Sequence, residues 1–159
     1  MQFIQNHTPV FTERHLDHLE RYRAAYGEDM FTPDAVAHER AKIASGYPSP
    51  RCGKNSICFE VFEQGEHIGD AILIFNDVGS EERCELDFSI FHEHAGQGMG
   101  KRMLREFVAF YKDQYTQPLE ALVRKANPSA EHVVHLLESA GFVFEEDLGS
   151  DLVYVCTFA

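Results

Sequence analysis

The sequence predicts an α/β fold in which helices pack on the faces of one mixed sheet. Apolar residues recur at helical spacing in some segments and alternate with polar residues in others, which gives the predicted order β-α-α-β-β-β-α-β-α-β-β. The chain has 159 residues, of which 44% are apolar and 12% aromatic. That length and composition suit one domain with a substantial hydrophobic core.

The N-terminal segment is predicted to hold a strand and a helix. A short strand occupies residues 2–5. Thr12 is suited to cap a helix N-terminus, because its side-chain oxygen can accept a hydrogen bond from a first-turn N–H. The apolar face of that helix consists of Leu16, Leu19, Tyr22 and Tyr26.

A second helix is marked by Thr32-Pro33, an N-cap residue followed by proline at the first helical position. We expect this helix to end near Gly46. Residues 47–55 contain two prolines and a glycine, which predicts a loop.

Three strands are predicted in the middle of the chain. Residues 57–63 and 67–75 form a hairpin around Gln64-Gly65. A turn follows at residues 76–82, and a third strand occupies residues 84–91. This last strand leads directly into a glycine-rich loop.

The loop is followed by a predicted helix over residues 100–115 and a strand over residues 119–123. The apolar stripe of the helix consists of Met99, Met103, Leu104, Phe107, Val108 and Tyr111.

The C-terminal part is predicted to contain one more helix and a hairpin. Asn127-Pro128 begins the helix, and Gly141 caps its end. Residues 142–146 and 152–158 then pair across the turn at residues 148–150.

Composition excludes several classes of partner. The net charge of −12 disfavours nucleic acid and anionic membranes, and it favours a cationic ligand such as an amine. An acidic surface that serves only solubility is the alternative. No apolar run is long enough to span a membrane, and the N-terminus does not have the pattern of a signal peptide. The four cysteines and nine histidines show no zinc-site spacing, so we expect free thiols, a cytoplasmic location and no metal.

The glycine-rich loop is the strongest functional signal. Gly96, Gly98 and Gly100 alternate with other residues immediately before a helix, so backbone N–H groups and the helix dipole can bind an anion, most often phosphate. Lys101 and Arg102 occupy the first helical turn, where cations are disfavoured unless an anion binds. A flexible turn with solvated basic residues is the alternative. The sequence lacks the Gly-Lys-Ser/Thr ending of a Walker loop and the glycine spacing of a dinucleotide fingerprint.

The residues around the loop resemble a known family. The run from Ile90 to Gly100, followed by Leu104, resembles the acyl-CoA loop of GNAT N-acetyltransferases, and residues 136–142 resemble the final helix and Gly-Phe exit of that superfamily. The resemblance extends over about residues 57–158. It implies one GNAT-like domain over residues 1–159, with a mixed, mostly antiparallel sheet of six to seven strands flanked by about four helices.

The resemblance also implies a reaction, in which acetyl-CoA donates an acetyl group directly to a primary amine. The protein would be a monomer or homodimer, and the first two helices and the loop to Asn55 would line the acceptor side. The resemblance places the acyl donor against Ile90, Gln97, Gly98, Gly100, Lys101, Arg102 and Asn127. An ordinary helix cap is the favoured interpretation of Asn127, and Ala95 stands where the family usually has Gln or Arg.

Glu85 and Asp87 are the candidate general bases. They alternate with apolar residues on the strand before the loop, and Glu85 lies where several members of the family place their base. A solvated polar face is the alternative, and His92 and His94 are the next candidates. The family often supplies a tyrosine as general acid in the final helix, but Leu137 occupies that position.

Tyr111, Tyr154 or a histidine would have to replace the missing acid. A non-catalytic acyl-CoA-binding module and a plain phosphate-binding domain therefore remain alternative functions.

Overall fold

The protein is described by a computed structural model that covers residues 1–46, 55–75 and 83–158. Its strands are β1 (Gln2–Asn6), β2 (Ser56–Glu63), β3 (Glu66–Phe75), β4 (Cys84–Ile90), β5 (Leu119–Arg124), β6 (Val143–Asp147) and β7 (Asp151–Cys156). Its helices are α1 (Glu13–Arg21), α2 (Arg23–Tyr26), α3 (Pro33–Ala44), α4 (Met99–Lys112) and α5 (Ala130–Ser139), with 3₁₀ turns at Glu28–Phe31 and His92–His94.

The strands form one sheet in the order β1-β2-β3-β4-β5-β7-β6. Every neighbouring pair is antiparallel except β4 and β5, which are parallel. This confirms the predicted mixed, mostly antiparallel sheet. The predicted loop at residues 47–55 and the predicted turn at 76–82 lie outside the described residues, apart from Asn55.

The β2–β3 hairpin forms where the sequence predicts it. Gln64 and Gly65 both have positive φ, 52° and 83°. Two consecutive residues of this kind are the signature of a tight hairpin turn whose twist matches that of the strands. Glycine at the second position accommodates this geometry without steric cost.

Three helix boundaries differ from the prediction. The helix after the glycine-rich loop ends at Lys112 instead of Tyr115. The first helix ends at Arg21 instead of continuing through Tyr26, because Tyr22 leaves the helical conformation and its ring packs on His18, with ring centroids 4.8 Å apart. The last helix begins at Ala130, because the Asn127 side chain accepts a hydrogen bond from the Ser129 N–H at 3.0 Å and closes a turn.

The end of α5 follows the prediction. Gly141 has a φ of 96°, and the Phe142 N–H donates to the Leu137 carbonyl at 3.1 Å. This is the helix-terminating pattern in which glycine adopts the left-handed conformation.

The helices lie on both faces of the sheet. The main core joins one face to α4 and α5 and includes Ala71 and Leu73 of β3. Asp70 lies on the same strand, next to Ala71, but its side chain contacts His15 of α1. Because successive strand residues point to opposite faces, α1 and α4 lie on opposite sides of the sheet. A smaller core of Phe11, Leu16 and Val36 joins α1 to α3.

The predicted apolar stripe of α4 is confirmed, and its buried members are Met103, Leu104, Phe107, Val108 and Tyr111. Within the described part of the chain, no helix is long and apolar enough to cross a membrane.

Candidate functional site

The parallel strands β4 and β5 separate soon after they meet. Their register contains two pairs, Cys84 with Leu119 and Glu85 with Glu120. From Leu86 to Ile90, β4 pairs with β3 but not with β5, although both strands lie wholly within the described residues. The sheet therefore has a gap that widens toward the end of β4.

The peptide groups of β4 show which residues face this gap. The Phe91 N–H donates to the Ile68 carbonyl at 2.8 Å, toward β3, and the Cys84 N–H donates to the Pro118 carbonyl at 3.0 Å, toward β5. Peptide groups of successive strand residues point to opposite edges. The N–H and C=O groups of Phe88 and Ile90 therefore face the gap, where an extended ligand can pair with them.

Gly69 allows β4 to approach β3 closely at this end. It pairs with Ile90, and a Cβ atom at Gly69 would lie 2.1 Å from the Ser89 carbonyl oxygen. Real Cβ atoms do not make contacts that short, so any side chain at Gly69 would displace the backbone of β4. The position of the open strand edge depends on this glycine.

The glycine-rich loop ends at an uncapped helix. Gly96 and Gly98 have φ values of 80° and 72°, a conformation that favours glycine. Gly98 is the N-cap of α4 without a side-chain capping bond, and the first intrahelical bond runs from the Arg102 N–H to the Gly98 carbonyl at 3.2 Å. The N–H groups of the first turn, from Met99 to Lys101, are left to bind an anion.

Gly100 differs from the other two loop glycines. It lies inside α4, its φ is not positive, and a Cβ atom there would meet Leu136 Cδ1 at 3.6 Å, an ordinary contact. A side chain at Gly100 would therefore neither strain the backbone nor clash within the fold. The contribution of Gly100 to ligand binding is therefore limited to its backbone N–H.

A depression of about 380 Å³ lies beside the start of α4, lined by Gly98, Lys101, Arg102, Arg105 and Glu106. Arg102 is already engaged there by Glu63 and Glu106, the latter at 2.9 Å from its Nε. Lys101 and Arg105 make no ion pair with any described residue. These two side chains are the cations best placed to bind a second phosphate group beside the one at the start of α4.

Glu85 and Asp87 lie on the opposite face of β4 from its main-core residues. Both are partly buried, and Glu120 of β5 is paired with Glu85. Burial raises the pKa of Glu85, and the negative charges of Asp87 and Glu120 raise it further. A carboxylate with a raised pKa at the closed end of the gap is suited to accept a proton.

Sequence reasoning missed a network around Asp70. This carboxyl group is 4% exposed, and His15 and His67 contact its two oxygens at 2.7 and 2.9 Å. Burial alone would raise the pKa of Asp70, but the bonds from both histidines hold it far below its usual range. Burial opposes protonation of His67, yet Asp70 raises its pKa overall. The available signal was an aspartate within the apolar run of β3.

Several of the other candidate residues make contacts within the fold. Leu137 is fully buried in the main core, and the buried Tyr111 hydroxyl donates to the Gln117 carbonyl at 3.1 Å. Asn127 forms the turn before α5 described above. His92 is exposed, and His94 Nε2 lies 3.3 Å from a Glu66 oxygen.

Solved structures share this fold. AAC(6′)-Ib in complex with paromomycin and acetyl-CoA is 16% identical, with a TM-score of 0.62 over 99% of this chain and 94% of that one. Spermidine N-acetyltransferase from Vibrio cholerae, in complex with CoA and spermine, is 17% identical, with a TM-score of 0.60 over 97% and 93%. Campylobacter jejuni N-acetyltransferase PseH, in complex with acetyl-CoA, is 12% identical, with a TM-score of 0.59 over 99% and 100%.

No curated protein sequence matches the chain. The family model of the acetyltransferase (GNAT) domain matches residues 6–143, which is most of its length. The splayed strands and the glycine loop before α4 fall within this match. The chain therefore belongs to the GNAT acetyltransferase family.

Proposed function

We propose that this protein is an N-acetyltransferase that transfers an acetyl group from acetyl-CoA directly to a primary amine. The observation that carries the proposal is the open edge of β4 beside the uncapped start of α4. One surface thus offers peptide groups for an extended amide-containing arm and N–H groups for a pyrophosphate.

The donor site uses backbone groups more than side chains. Phe88 and Ile90 would pair with the amides of the pantetheine arm, since their peptide groups face the gap. The N–H groups of Gln97, Gly98, Gly100 and Lys101 would bind the pyrophosphate, with Lys101 and Arg105 near the remaining phosphate. Arg102 would contribute less because acidic side chains already bind it.

Asn127 is a weaker donor-site candidate. Its side-chain oxygen is occupied by the Ser129 N–H, which leaves the amide nitrogen as the group that could reach pantetheine.

Glu85 is the proposed general base. The amine nitrogen attacks the thioester carbonyl, the C–S bond breaks, and the proton lost by nitrogen passes to Glu85, directly or through water. The raised pKa of Glu85 makes it a better proton acceptor than an exposed glutamate. Asp87 is the second candidate, since it lies two residues along on the same face.

The leaving group needs little help. A thiol has an ordinary pKa of about 8.5, so its thiolate can depart and take a proton from solvent. Leu137 has no ionisable group, so this position cannot supply a general acid. The same observation favours one alternative function, a non-catalytic acyl-CoA-binding module.

A cationic amine is the favoured acceptor class. Glu85 and Asp87 bring two carboxylates to the closed end of the gap, where Arg83 already pairs with the neighbouring Glu120 at 3.2 Å, and the chain carries a net charge of −12. An acidic surface attracts cations and raises their local concentration.

The test is turnover by the purified chain. Acetyl-CoA is mixed with spermine, paromomycin or a lysine-containing peptide, while thiol release and acetylated amine are measured by absorbance and mass spectrometry. We expect one amine to gain an acetyl group in proportion to the thiol released. Acetyl-CoA binding without turnover on an expanded amine panel supports the non-catalytic alternative, and absence of binding contradicts both.

A further inference from the structure

A buried carboxylate joins strand β3 to helix α1. Asp70 lies in β3, and its oxygens contact His15 Nε2 of α1 at 2.7 Å and His67 Nε2 at 2.9 Å. Asp70 is 4% exposed, so its charge depends on these partners for compensation. We call these three residues the Asp70 network.

The proton positions in this network follow from its partners. The Thr12 backbone N–H, which can only donate, lies 3.1 Å from His15 Nδ1. Nδ1 must therefore accept, and the His15 proton sits on Nε2 and points to Asp70. His67 Nε2 faces two acceptors, Asp70 and the Gly69 carbonyl, each at 2.9 Å, so it also carries a proton.

His15 does more than cap its helix. A side chain at this position that bonds back to the N-cap N–H completes a capping box, and Glu or Gln normally fills that role. An imidazole has a second nitrogen on the far side of the ring, and here that nitrogen reaches Asp70. The residue thus connects the first turn of α1 to the sheet.

The contacts around the Asp70 network converge on the end of β4. Asp70 pairs with Ser89, the residue before Ile90. The rings of His15 and His67 meet Phe91 edge-on, with centroids 5.3 and 5.1 Å away.

Arg14 adds a second connection between α1 and this end of β4. Its guanidinium carbon lies 3.9 Å from the centroid of the Phe91 ring. The same group bonds to the His67 carbonyl at 2.9 Å and to Glu93 at 2.7 Å. Two successive residues of α1 thus hold the helix against the segment that follows β4.

We propose that Asp70 is a positioning residue for the amine acceptor. Through His15 it fixes α1 over the face of β4 that carries Glu85 and Asp87, across the sheet from α4. The inference rests on the proposed transferase function. Loss of the carboxylate would displace α1, which is expected to line the acceptor side. The acyl-donor site, formed by the edge of β4 and the start of α4, would stay in place.

The experiment compares three variants with the wild type on the best amine among spermine, paromomycin and a lysine-containing peptide. Asp70→Asn removes the charge that both histidines contact. His15→Gln keeps the usual capping-box residue but cannot serve both Thr12 and Asp70. Glu13→Gln is the matched control on α1, since Glu13 is exposed and its partner Arg40 lies 3.5 Å away on the surface.

We expect Asp70→Asn to lower kcat/KM for the amine at least tenfold, with the acetyl-CoA Kd from calorimetry within twofold of the wild type. His15→Gln should likewise lower the amine kcat/KM and leave the acetyl-CoA Kd within twofold of the wild type, and Glu13→Gln should change neither quantity. An amine kcat/KM within twofold of the wild type in both network variants overturns the proposal. Equal losses of amine and acetyl-CoA binding also overturn it, because they indicate general damage.

Hydrogen exchange separates this proposal from the proposed function. Amides of α1 should exchange at least tenfold faster in Asp70→Asn, while those of α4 keep their wild-type rates. Equal acceleration in α1 and α4 contradicts a positioning role. If the wild type acetylates no amine, the transferase proposal fails and the exchange data decide the structural claim alone. If Asp70→Asn does not fold, His15→Gln supplies every readout.

Discussion

The two helices that flank β4 begin in opposite ways. The first turn of α1 carries a capping box, in which His15 accepts a hydrogen bond from the Thr12 N–H, and the other side of the His15 ring reaches Asp70. The first turn of α4 begins at Gly98 without a side-chain cap. A helix start normally exposes N–H groups that need acceptors. The difference indicates that α1 is fixed by the fold, whereas α4 is open to a ligand.

Charge distribution follows the same division. Lys101 and Arg105 stand beside the start of α4 without described ion-pair partners. Around α1, Arg14 is bound to Glu93 and His15 to Asp70. The cations beside the start of α4 are thus available to a phosphate, whereas Arg14 and His15 at the start of α1 are already paired within the protein.

The largest expected effect is at Gly98. Gly98→Val should weaken acetyl-CoA binding at least about 100-fold, because valine is strained at a φ of 72° and the loop would lose the geometry that directs its N–H groups. Calorimetry measures the affinity, and circular dichroism confirms folding.

Gly100→Ala is the matched control, since its Cβ would make only an ordinary contact at 3.6 Å. It should bind within about threefold of the wild type, and a shift of up to about 1 kcal/mol toward greater stability reflects alanine in a helix. Unchanged affinity in Gly98→Val contradicts a ligand-binding role for the start of α4.

The next effect concerns chemistry rather than binding. Glu85→Gln should lower kcat about 10²-fold and leave the acetyl-CoA Kd unchanged, because it removes a proton acceptor without touching the start of α4. Rates should recover partly at high pH, where the amine is already neutral. Asp87→Asn tests the neighbouring carboxylate. If both variants keep wild-type turnover between about pH 6 and 9, this face of β4 is solvated surface.

A third effect is on stability, and it is confined to the α1 side. Asp70→Asn should lower the free energy of unfolding by about 1–3 kcal/mol at about pH 5.5, measured with urea. The folded pKa of Asp70 is lowered, so its stabilisation is present above the unfolded value of about 3.9 and is lost as pH falls toward the folded value.

His67 behaves in the opposite sense. Its pKa is raised in the fold, so its stabilisation is complete below the unfolded value of about 6.5 and is lost as pH rises through the folded value. The difference between wild type and Asp70→Asn should therefore be largest between about pH 4 and 6.5. A difference that stays constant from about pH 2.5 to 8 would show that Asp70 contributes no titratable stabilisation.

The smallest effect concerns the cations beside α4. Wild type should bind CoA more tightly than dephospho-CoA, and Lys101→Gln or Arg105→Gln should each narrow this preference by about threefold to tenfold. Arg102→Gln should matter less, because Glu63 and Glu106 already bind that side chain. Equal affinity of the wild type for the two ligands at low salt removes the role of these cations.

Features governed by local sequence could be predicted, and those governed by distant contacts could not. The turn at Gln64-Gly65, the cap at Thr32 and the loop glycines follow from backbone preferences within a few residues. The Asp70 network joins residues 55 positions apart, so no local pattern encodes it. The early end of α1 likewise depends on how Tyr22 packs on His18.

The site shows the same division. The resemblance predicted a donor-site role for Ile90. The structure gives a physical reason, because the peptide groups of Phe88 and Ile90 face a gap. The engagement of Arg102 by Glu63 could not be foreseen, because the two residues are 39 positions apart. The assignments of Glu85, Asp87 and Asn127 remain predictions.

Amide exchange followed by NMR during titration with acetyl-CoA tests the central claim most directly. The claim is that the ligand occupies the open edge of β4 and the start of α4, while the start of α1 is capped by the protein's own side chains. The N–H groups of Ile90 and of Gly98 to Lys101 should become protected, and those of Thr12 to His15 should keep their rates. Saturating acetyl-CoA that protects no amide in the loop or at Ile90 would contradict the account.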